Sequence, residues 1–111
     1  MKIILMLAMS FLLISCTNML QSGAIFEAQN SLNVNSYTEA LDNINIAESF
    51  GDLSQENTAK LHYLRGQALE GLGRNEEAVH SYLYVVEQHS SSAYARRSKQ
   101  RLDVLGATFA N

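Results

Sequence analysis

Apolar residues between Thr58 and Ser92 recur at spacings of three and four, which is typical of one face of an α-helix. Gly71 and Gly73 interrupt this pattern, and it resumes at Glu76. The apolar positions are Leu61, Leu64, Ala68, Leu69 and Leu72 before the interruption, and Ala78, Val79, Tyr82, Leu83, Val85 and Val86 after it. Two amphipathic helices joined by so few residues predict an antiparallel hairpin.

We expect the two helices of this hairpin to approach each other closely. Gly66 and Ala68 in the first helix and Ala78 in the second are small enough to allow the approach. The larger side chains expected to fill the surrounding space are Tyr63, Leu64, Tyr82 and Val86.

An earlier hairpin is predicted between residues 23 and 50. The apolar face of its first helix is Ala24, Ile25, Ala28 and Leu32, and that of its second is Tyr37, Ala40, Leu41, Ile44 and Ala47. Ser36 followed by Glu39 predicts a capping box at the start of the second helix. Gly51 suits the left-handed conformation that often closes a helix.

A fifth helix is predicted after the serine run at residues 90–92. Its apolar face is Ala95, Ser98, Leu102 and Leu105, and the remaining surface carries Arg96, Arg97, Lys99 and Arg101. We expect Ser54 and one of the three serines to cap the third and fifth helices, and Gly106 to end the fifth. The sequence therefore predicts an all-α fold of two hairpins and a final polar helix.

The hairpin between Thr58 and Ser92 resembles a tetratricopeptide repeat, a helix–turn–helix unit of about 34 residues. The residues that carry the resemblance are Leu64, Gly66, Leu69, Leu72, Gly73, Arg74, Glu77, Ala78, Tyr82, Val85 and Val86. Arg65 departs from the family pattern, which usually has an apolar residue there. The resemblance implies a short α-solenoid of about two and a half repeats that binds other proteins, with the last helix as its cap. Because such solenoids need about three repeats for stability, a partner or self-association would complete it.

The N-terminus has a second recognisable pattern. Lys2 is followed by an apolar run from Ile3 to Ile14, interrupted only by Ser10. The run is shorter than the roughly 20 residues that cross a membrane, and it has the length of the apolar part of a secretory signal peptide. It ends at Leu13-Ile14-Ser15, directly before the single cysteine of the chain, Cys16.

The residues up to Cys16 resemble the lipobox of a bacterial lipoprotein. The resemblance implies cleavage before Cys16 and a covalent lipid on its thiol, and we expect no other cofactor. Two or more acyl chains anchor a protein stably, because each buried methylene contributes about 0.8 kcal/mol. The alternatives are an uncleaved anchor and an ordinary signal peptide with an incidental cysteine.

This interpretation divides the chain into a signal peptide at residues 1–15, a lipidated tether at 16–22 and a helical domain at 23–109. Thr17 follows Cys16 where an aspartate would resemble an inner-membrane retention signal. By resemblance to enterobacterial lipoproteins, we expect the protein in the bacterial cell envelope, anchored to the outer membrane and facing the periplasm. A single cysteine excludes an internal disulfide.

Charge narrows the range of partners. The 111 residues include 8 Lys and Arg against 11 Asp and Glu, which gives a formal net charge of −3. Non-specific nucleic-acid binding requires a basic surface. We therefore expect a protein partner, with the membrane contacted through the lipid, and no nucleic acid.

No residue pattern in the chain is typical of catalysis or metal binding. The histidines, His62, His80 and His89, have no recognisable ligand spacing with other residues. The carboxylates Glu70, Glu76, Glu77 and Glu87 fall on helix surfaces, and no serine lies in a nucleophile elbow. We expect neither an enzyme nor a metal site, and a metal assay of the purified protein would test this.

The tetratricopeptide resemblance places Tyr63 on the concave surface of the solenoid, where partners bind. The residues that it places in this groove are Lys60, Tyr63, Gln67 and Glu70 in the third helix, Tyr94, Arg97 and Arg101 in the fifth, and Ile25 and Gln29 in the first. Tyrosine suits such a surface because it is rigid and amphipathic. The alternative is ordinary packing combined with a solvated surface.

Together these patterns favour a membrane-anchored adaptor that helps an envelope, secretion or pilus complex to assemble. Small lipoproteins with such repeats resemble pilotins and subunits of outer-membrane assembly machinery. The alternative function is a structural lipoprotein that associates with itself, as a homo-oligomer, and has no separate peptide ligand.

Overall fold

In the computed structural model of the chain, residues 1–106 are described, apart from the side chains of residues 10–17. This part of the chain forms five α-helices and no strand: α1 Lys2–Asn33, α2 Tyr37–Ser49, α3 Gln55–Gly71, α4 Asn75–Gln88 and α5 Ala93–Val104. The predicted all-α fold is confirmed.

The helices form a short stack of antiparallel hairpins. Each helix packs against the next one along the chain, and the connections between them are only a few residues long. In addition, α3 contacts both α1 and α5, whereas α2 and α4 do not meet in the described part of the chain. Alternate helices therefore share one side of the molecule, as in an α-helical repeat protein.

Two of the three groups of buried side chains contain the largest of these residues and hold the stack together. Ile25, Ile44, Leu61 and Leu64 join α1, α2 and α3. Leu69, Tyr82 and Leu102 join α3, α4 and α5. Burying each large apolar side chain contributes about 1.5–3 kcal/mol, so α3, which takes part in both groups, is central to stability.

The close approach predicted for α3 and α4 is confirmed. Gly66 is buried, and a Cβ atom at this position would overlap the ring of Tyr82. The backbone of α3 therefore lies directly against the buried tyrosine of α4. A similar contact joins the first hairpin to α3, because the ring of Tyr37 lies against Gly71.

Most of the predicted helix ends are also confirmed. Ser54 and Ser92 cap α3 and α5, and the hydroxyl of each accepts a hydrogen bond of 3.1 Å from a backbone N–H in the first turn. Gly51, Gly73 and Gly106 follow α2, α3 and α5 with φ values of 70°, 75° and 71°. Such positive values favour glycine because it has no Cβ.

The predicted capping box at Ser36 and Glu39 is wrong. Ser36 occupies the N-cap position of α2, but its side chain makes no capping hydrogen bond. Its ψ is 72°, whereas Ser54 and Ser92 have extended backbones with ψ of 158° and 147°. Only the extended conformation directs the hydroxyl toward the free N–H groups of the first turn.

Leu72 is the one predicted apolar position of α3 that does not enter the core. It is 39% exposed, because α3 ends at Gly71 and Leu72 is already its C-cap. The spacing rule holds only while the helix continues.

Arg65, which departs from the family pattern, has a structural role. Its Nη2 lies 2.6 Å from Oε1 of Glu48, and this ion pair joins α3 to α2. Nη1 of Arg65 also lies 3.3 Å from Nδ1 of His62. Burial lowers the pKa of His62, and the Arg65 charge lowers it further, so the imidazole is neutral at pH 7.

Residues 17–22, expected to be an irregular tether, lie within the continuous helix α1. Packing begins at Gln21, which is 7% exposed. Its Nε2 donates hydrogen bonds to the backbone carbonyls of Ala47, at 3.2 Å, and Gly51, at 2.8 Å. The packed domain therefore starts before the expected Gly23, because Gln21 satisfies carbonyl groups at the C-terminal end of α2.

The first part of α1 extends beyond the packed domain. Side chains 1–9 and 18–20 are all exposed, and most of them are apolar. Among the described residues, no helix combines the length and hydropathy needed to span a bilayer. The side chain of Cys16 and the domain's end at residues 107–109 lie outside the described residues, so lipidation and the predicted domain limits stay predictions.

Candidate partner-binding groove

The predicted groove residues lie on the three helices that share one side of the stack. Lys60, Tyr63, Gln67 and Glu70 follow one another on α3 at spacings of three and four, and Tyr94, Arg97 and Arg101 do so on α5. This spacing places each set on one helix face. Because α3 contacts both α1 and α5, the two sets and Gln29 of α1 form one continuous surface.

Two tyrosines and an arginine form the part of this surface between α3 and α5. The ring centroids of Tyr63 and Tyr94 are 5.6 Å apart, with 40° between the ring planes. The Arg97 guanidinium carbon lies 5.4 Å from the Tyr94 ring centroid, within cation–π range. We call Tyr63, Tyr94 and Arg97 the tyrosine shelf.

The tyrosine shelf rests on the hydrophobic core. Tyr63 is half-buried, and its ring also lies 5.9 Å from that of the fully buried Tyr82. Burial raises the pKa of Tyr63, so its hydroxyl stays protonated and can donate a hydrogen bond. The shelf therefore offers apolar ring surface together with polar atoms, which is typical of residues at protein interfaces.

Glu70 joins α3, α4 and α5 beside the tyrosine shelf. Its carboxylate accepts hydrogen bonds from Arg101 Nη2 at 2.6 Å and Nε at 3.0 Å, and from the Tyr82 hydroxyl at 2.6 Å. Burial alone raises the pKa of Glu70, but hydrogen bonds from Arg101 and Tyr82 outweigh it, and the pKa is lowered. Glu70 is thus ionised at pH 7 and fixes α5 against α3 and α4.

A cavity of about 510 Å³ lies where α1, α3 and α5 face each other. Its lining is Gln29, Leu32, Asn33, Asn35, Tyr37, Gln67, Glu70, Gly71 and Arg101. Gln67, Glu70 and Arg101, predicted for the groove from the sequence, are therefore brought together with Gln29. The carboxylate and guanidinium already pair with each other, so the polar groups left at the cavity are mainly amides.

A smaller cavity of about 310 Å³ lies at the other end of the α1–α3 contact. Its lining is Ser22, Ile25, Phe26, Gln29, Asn57 and Lys60. Gln29 lines both cavities, so they follow one another along α1. Tyr63, Tyr94 and Arg97 line neither cavity and form the opposite, α5 side of the surface.

Ile25 and Phe26 contribute unequally to the smaller cavity. Ile25 lines it but is only 6% exposed, because it points between α1 and α3 and packs in the core with Leu61 and Leu64. Phe26 is not one of the residues expected in the groove, yet it is 64% exposed at the smaller cavity. The sequence does indicate this exposure, because Phe26 is an aromatic residue outside the apolar face formed by Ala24, Ile25 and Ala28.

The groove carries an excess of positive charge. Glu70 and Arg101 neutralise each other, whereas Lys60 and Arg97 have no carboxylate within ion-pair distance in the described part of the chain. The molecule as a whole is acidic, with a net charge of −3, so the charge of this surface is opposite in sign to that of the whole chain.

Two of the three histidines lie against one tyrosine ring. His62 stacks on Tyr84 with 4.1 Å between ring centroids, His89 lies 5.7 Å from the same ring, and His80 is exposed. Among the residues that the structure describes, no three His, Cys, Asp or Glu side chains are grouped closely enough to hold a metal ion.

No protein-family model, curated protein or solved structure matches this chain. The tetratricopeptide and lipobox resemblances therefore stay predictions.

Proposed function

We propose that this chain is a lipid-anchored adaptor of a bacterial envelope complex, facing the periplasm from the outer membrane. It holds a segment of a partner protein against the surface formed by α1, α3 and α5. The observation that carries the proposal is the tyrosine shelf beside two cavities on one side of the helical stack. Tyrosine and arginine are the side chains that most often dominate binding energy at protein interfaces.

The charges of the groove favour one class of partner segment. Lys60 lies at one end of α3 beside the exposed Phe26, and Arg97 lies on the tyrosine shelf. A segment with apolar side chains for the rings and cavities, and with carboxylates near these two cations, would complement the surface. Because Glu70 and Arg101 are already paired, they support the groove rather than offer free charge.

The N-terminal pattern supports the membrane anchor. Cys16 follows an apolar run, and the packed domain begins at Gln21, so few residues separate the predicted lipid from folded structure. A helix rises about 1.5 Å per residue, so the domain would stay close to the membrane surface. A partner bound in the groove would then be held next to the same membrane.

A crosslinked pull-down of the full-length protein from its native membranes tests the adaptor function. Arg97→Glu reverses a charge on the tyrosine shelf, and Lys99→Glu makes the same change on α5 outside the groove. We expect a single envelope protein to be recovered with the unmodified chain and with Lys99→Glu, and to be lost with Arg97→Glu. Equal recovery of that protein with both variants would contradict the proposed groove.

A further inference from the structure

Charge is distributed unevenly along the stack of helices. Between residues 3 and 59 there is no Lys, Arg or His, and the acidic residues are Glu27, Glu39, Asp42, Glu48, Asp52 and Glu56. The last helix, α5, has the opposite character, with Arg96, Arg97, Lys99 and Arg101 against Asp103 alone. One end of the stack is therefore acidic and the other basic.

The acidic end presents a defined surface that faces away from the rest of the molecule. In α2, Tyr37 and Glu48 face α3, where they contact Gly71 and Arg65. Glu39, Asp42 and Ile46 lie on the opposite side of α2 and are exposed, and Glu27 and Val34 are exposed beside them at α1. We call these five residues the head face.

The basic end is formed by the outer side of α5. Tyr94 and Arg101 face α3, and Leu102 is buried against α4. The exposed residues on the remaining side of this helix include Arg96, Lys99, Gln100, Asp103 and Val104, and we call these five residues the tail face. Neither Arg96 nor Lys99 has a carboxylate within ion-pair distance among the described residues.

Both faces are open ends of one stack. The central helix α3 is flanked on one side by α1 and α2 and on the other by α4 and α5. By contrast, α5 has neighbours on one side only, and so do α1 and α2. Each open end combines an exposed apolar side chain, Ile46 at the head and Val104 at the tail, with an excess of one charge. The head face carries only carboxylates, and at the tail face Arg96 and Lys99 outnumber Asp103.

We propose that the head face of one copy binds the tail face of another copy of this chain. Opposite charges then meet across the contact, and Ile46 and Val104 provide apolar surface. Head-to-head and tail-to-tail contacts would bring like charges together, which is unfavourable. The contact is therefore heterologous, so it can be repeated from copy to copy.

The direction in which the helices stack agrees with attachment of the chain to a membrane. This point rests on the proposed lipid anchor. The helices lie antiparallel and side by side, so the stack runs across their axes, while the free part of α1 extends along them. Copies anchored through α1 in one membrane would present their head and tail faces sideways, toward each other. The contact uses no groove residue, so it leaves the groove of each copy accessible to a partner.

Charge-reversed variants of the full-length protein, purified in detergent, test this contact by analytical ultracentrifugation over a range of concentrations. Glu39→Lys with Asp42→Lys reverses the head face, and Arg96→Glu with Lys99→Glu reverses the tail face. Glu76→Lys with Glu87→Lys on α4 changes the net charge by the same amount and in the same direction as the head-face variant, but outside both faces. Circular dichroism checks that each variant keeps its helices.

We expect the unmodified chain and the α4 variant to form species larger than a monomer as concentration rises, and each end variant alone to stay monomeric. Mixing the two end variants should restore association, since a basic head then meets an acidic tail. A higher salt concentration should weaken association of the unmodified chain. The distance over which exposed charges attract each other falls from about 8 Å at 0.15 M salt to about 3 Å at 1 M.

Three results would overturn the contact. The first is an unmodified chain that is monomeric at every concentration. The second is association that either end variant leaves unchanged, as copies sharing one detergent micelle would give. The third is a mixture of the two end variants that stays monomeric, although it contains an intact tail on one variant and an intact head on the other. None of these results bears on partner binding, which is tested separately by Arg97→Glu.

Discussion

The carboxylate of Glu70 and the guanidinium of Arg101 form two hydrogen bonds, at 2.6 and 3.0 Å, between helices α3 and α5. The same carboxylate accepts a hydrogen bond of 2.6 Å from the hydroxyl of Tyr82 in α4. One side chain thus connects all three helices of the second half of the stack. Because α5 carries Tyr94 and Arg97, this pairing also determines where the tyrosine shelf lies relative to Tyr63.

Replacing Glu70 by glutamine should destabilise the fold. The change removes the charge that Arg101 and Tyr82 share, and hydrogen bonds to charged groups contribute about 1.5–3 kcal/mol. We expect a loss of about 1–3 kcal/mol in the free energy of unfolding, measured by urea denaturation. Glu76→Gln, at an exposed position of α4, is the matched control and should change stability by less than about 0.5 kcal/mol.

The contribution of Glu70 to the free energy of unfolding should depend on pH. Its pKa in the folded protein is below the ordinary 4.5, so the carboxylate stabilises the fold fully above pH 4.5. This stabilisation is lost as the pH falls through the lowered pKa. The difference in unfolding free energy between the unmodified protein and Glu70→Gln should therefore shrink on acidification below pH 4.5. A difference that stays constant down to strongly acidic pH would contradict this role.

Gly66→Ala should be strongly destabilising, although alanine is the better helix former. The new Cβ would overlap the ring of Tyr82, and such overpacking costs about 1–3 kcal/mol. Gly23→Ala is the matched control, because a Cβ at Gly23 has no atom within 4 Å. That variant should be stabilised by about 0.4–1 kcal/mol. Thermal unfolding of both variants, followed by circular dichroism, would distinguish these opposite effects.

Gln21→Ala should loosen the junction between α1 and α2. The variant leaves the carbonyls of Ala47 and Gly51 without their donor, at a cost of about 1–2 kcal/mol. Hydrogen exchange at the amides of the last turn of α2 should become faster, while exchange in α4 changes only with global stability. Ser22→Ala, at the neighbouring exposed position, should leave both exchange rates unchanged.

Cys16→Ser should release the protein from the membrane if the cysteine carries the anchor. The variant keeps Ser15 and the apolar run, so export is still expected, but the acyl chains that bind the bilayer are absent. Membrane and soluble fractions of the producing cells would be compared by immunoblotting. A processed variant that still partitions fully with the membrane would count against lipidation.

The packing of the helices could be predicted because it follows from local spacing. Leu61, Leu64, Tyr82 and Leu102 are buried as the three-and-four pattern predicted, and Gly66 provides the expected close approach. Among the apolar positions predicted for α3, only Leu72 is exposed, because the helix has already ended there.

Contacts between distant residues could not be predicted from the sequence. Arg65 pairs with Glu48 and Glu70 with Arg101, and nothing in the local pattern links either pair. Gln21 was assigned to a tether because its neighbours have no helical pattern, yet its amide binds carbonyls of α2. Such polar contacts depend on the assembled stack, whereas apolar faces depend on each helix alone.

The central claim is that a partner binds the side formed by α1, α3 and α5, and site-specific photocrosslinking in native membranes tests it most directly. A photoreactive amino acid would replace Gln67, in the groove, or His80, an exposed residue of α4. We predict one crosslinked partner from position 67, lost on Arg97→Glu, and none from position 80. Equal crosslinking from both positions, or a product at 67 that persists in Arg97→Glu, would contradict the proposed groove.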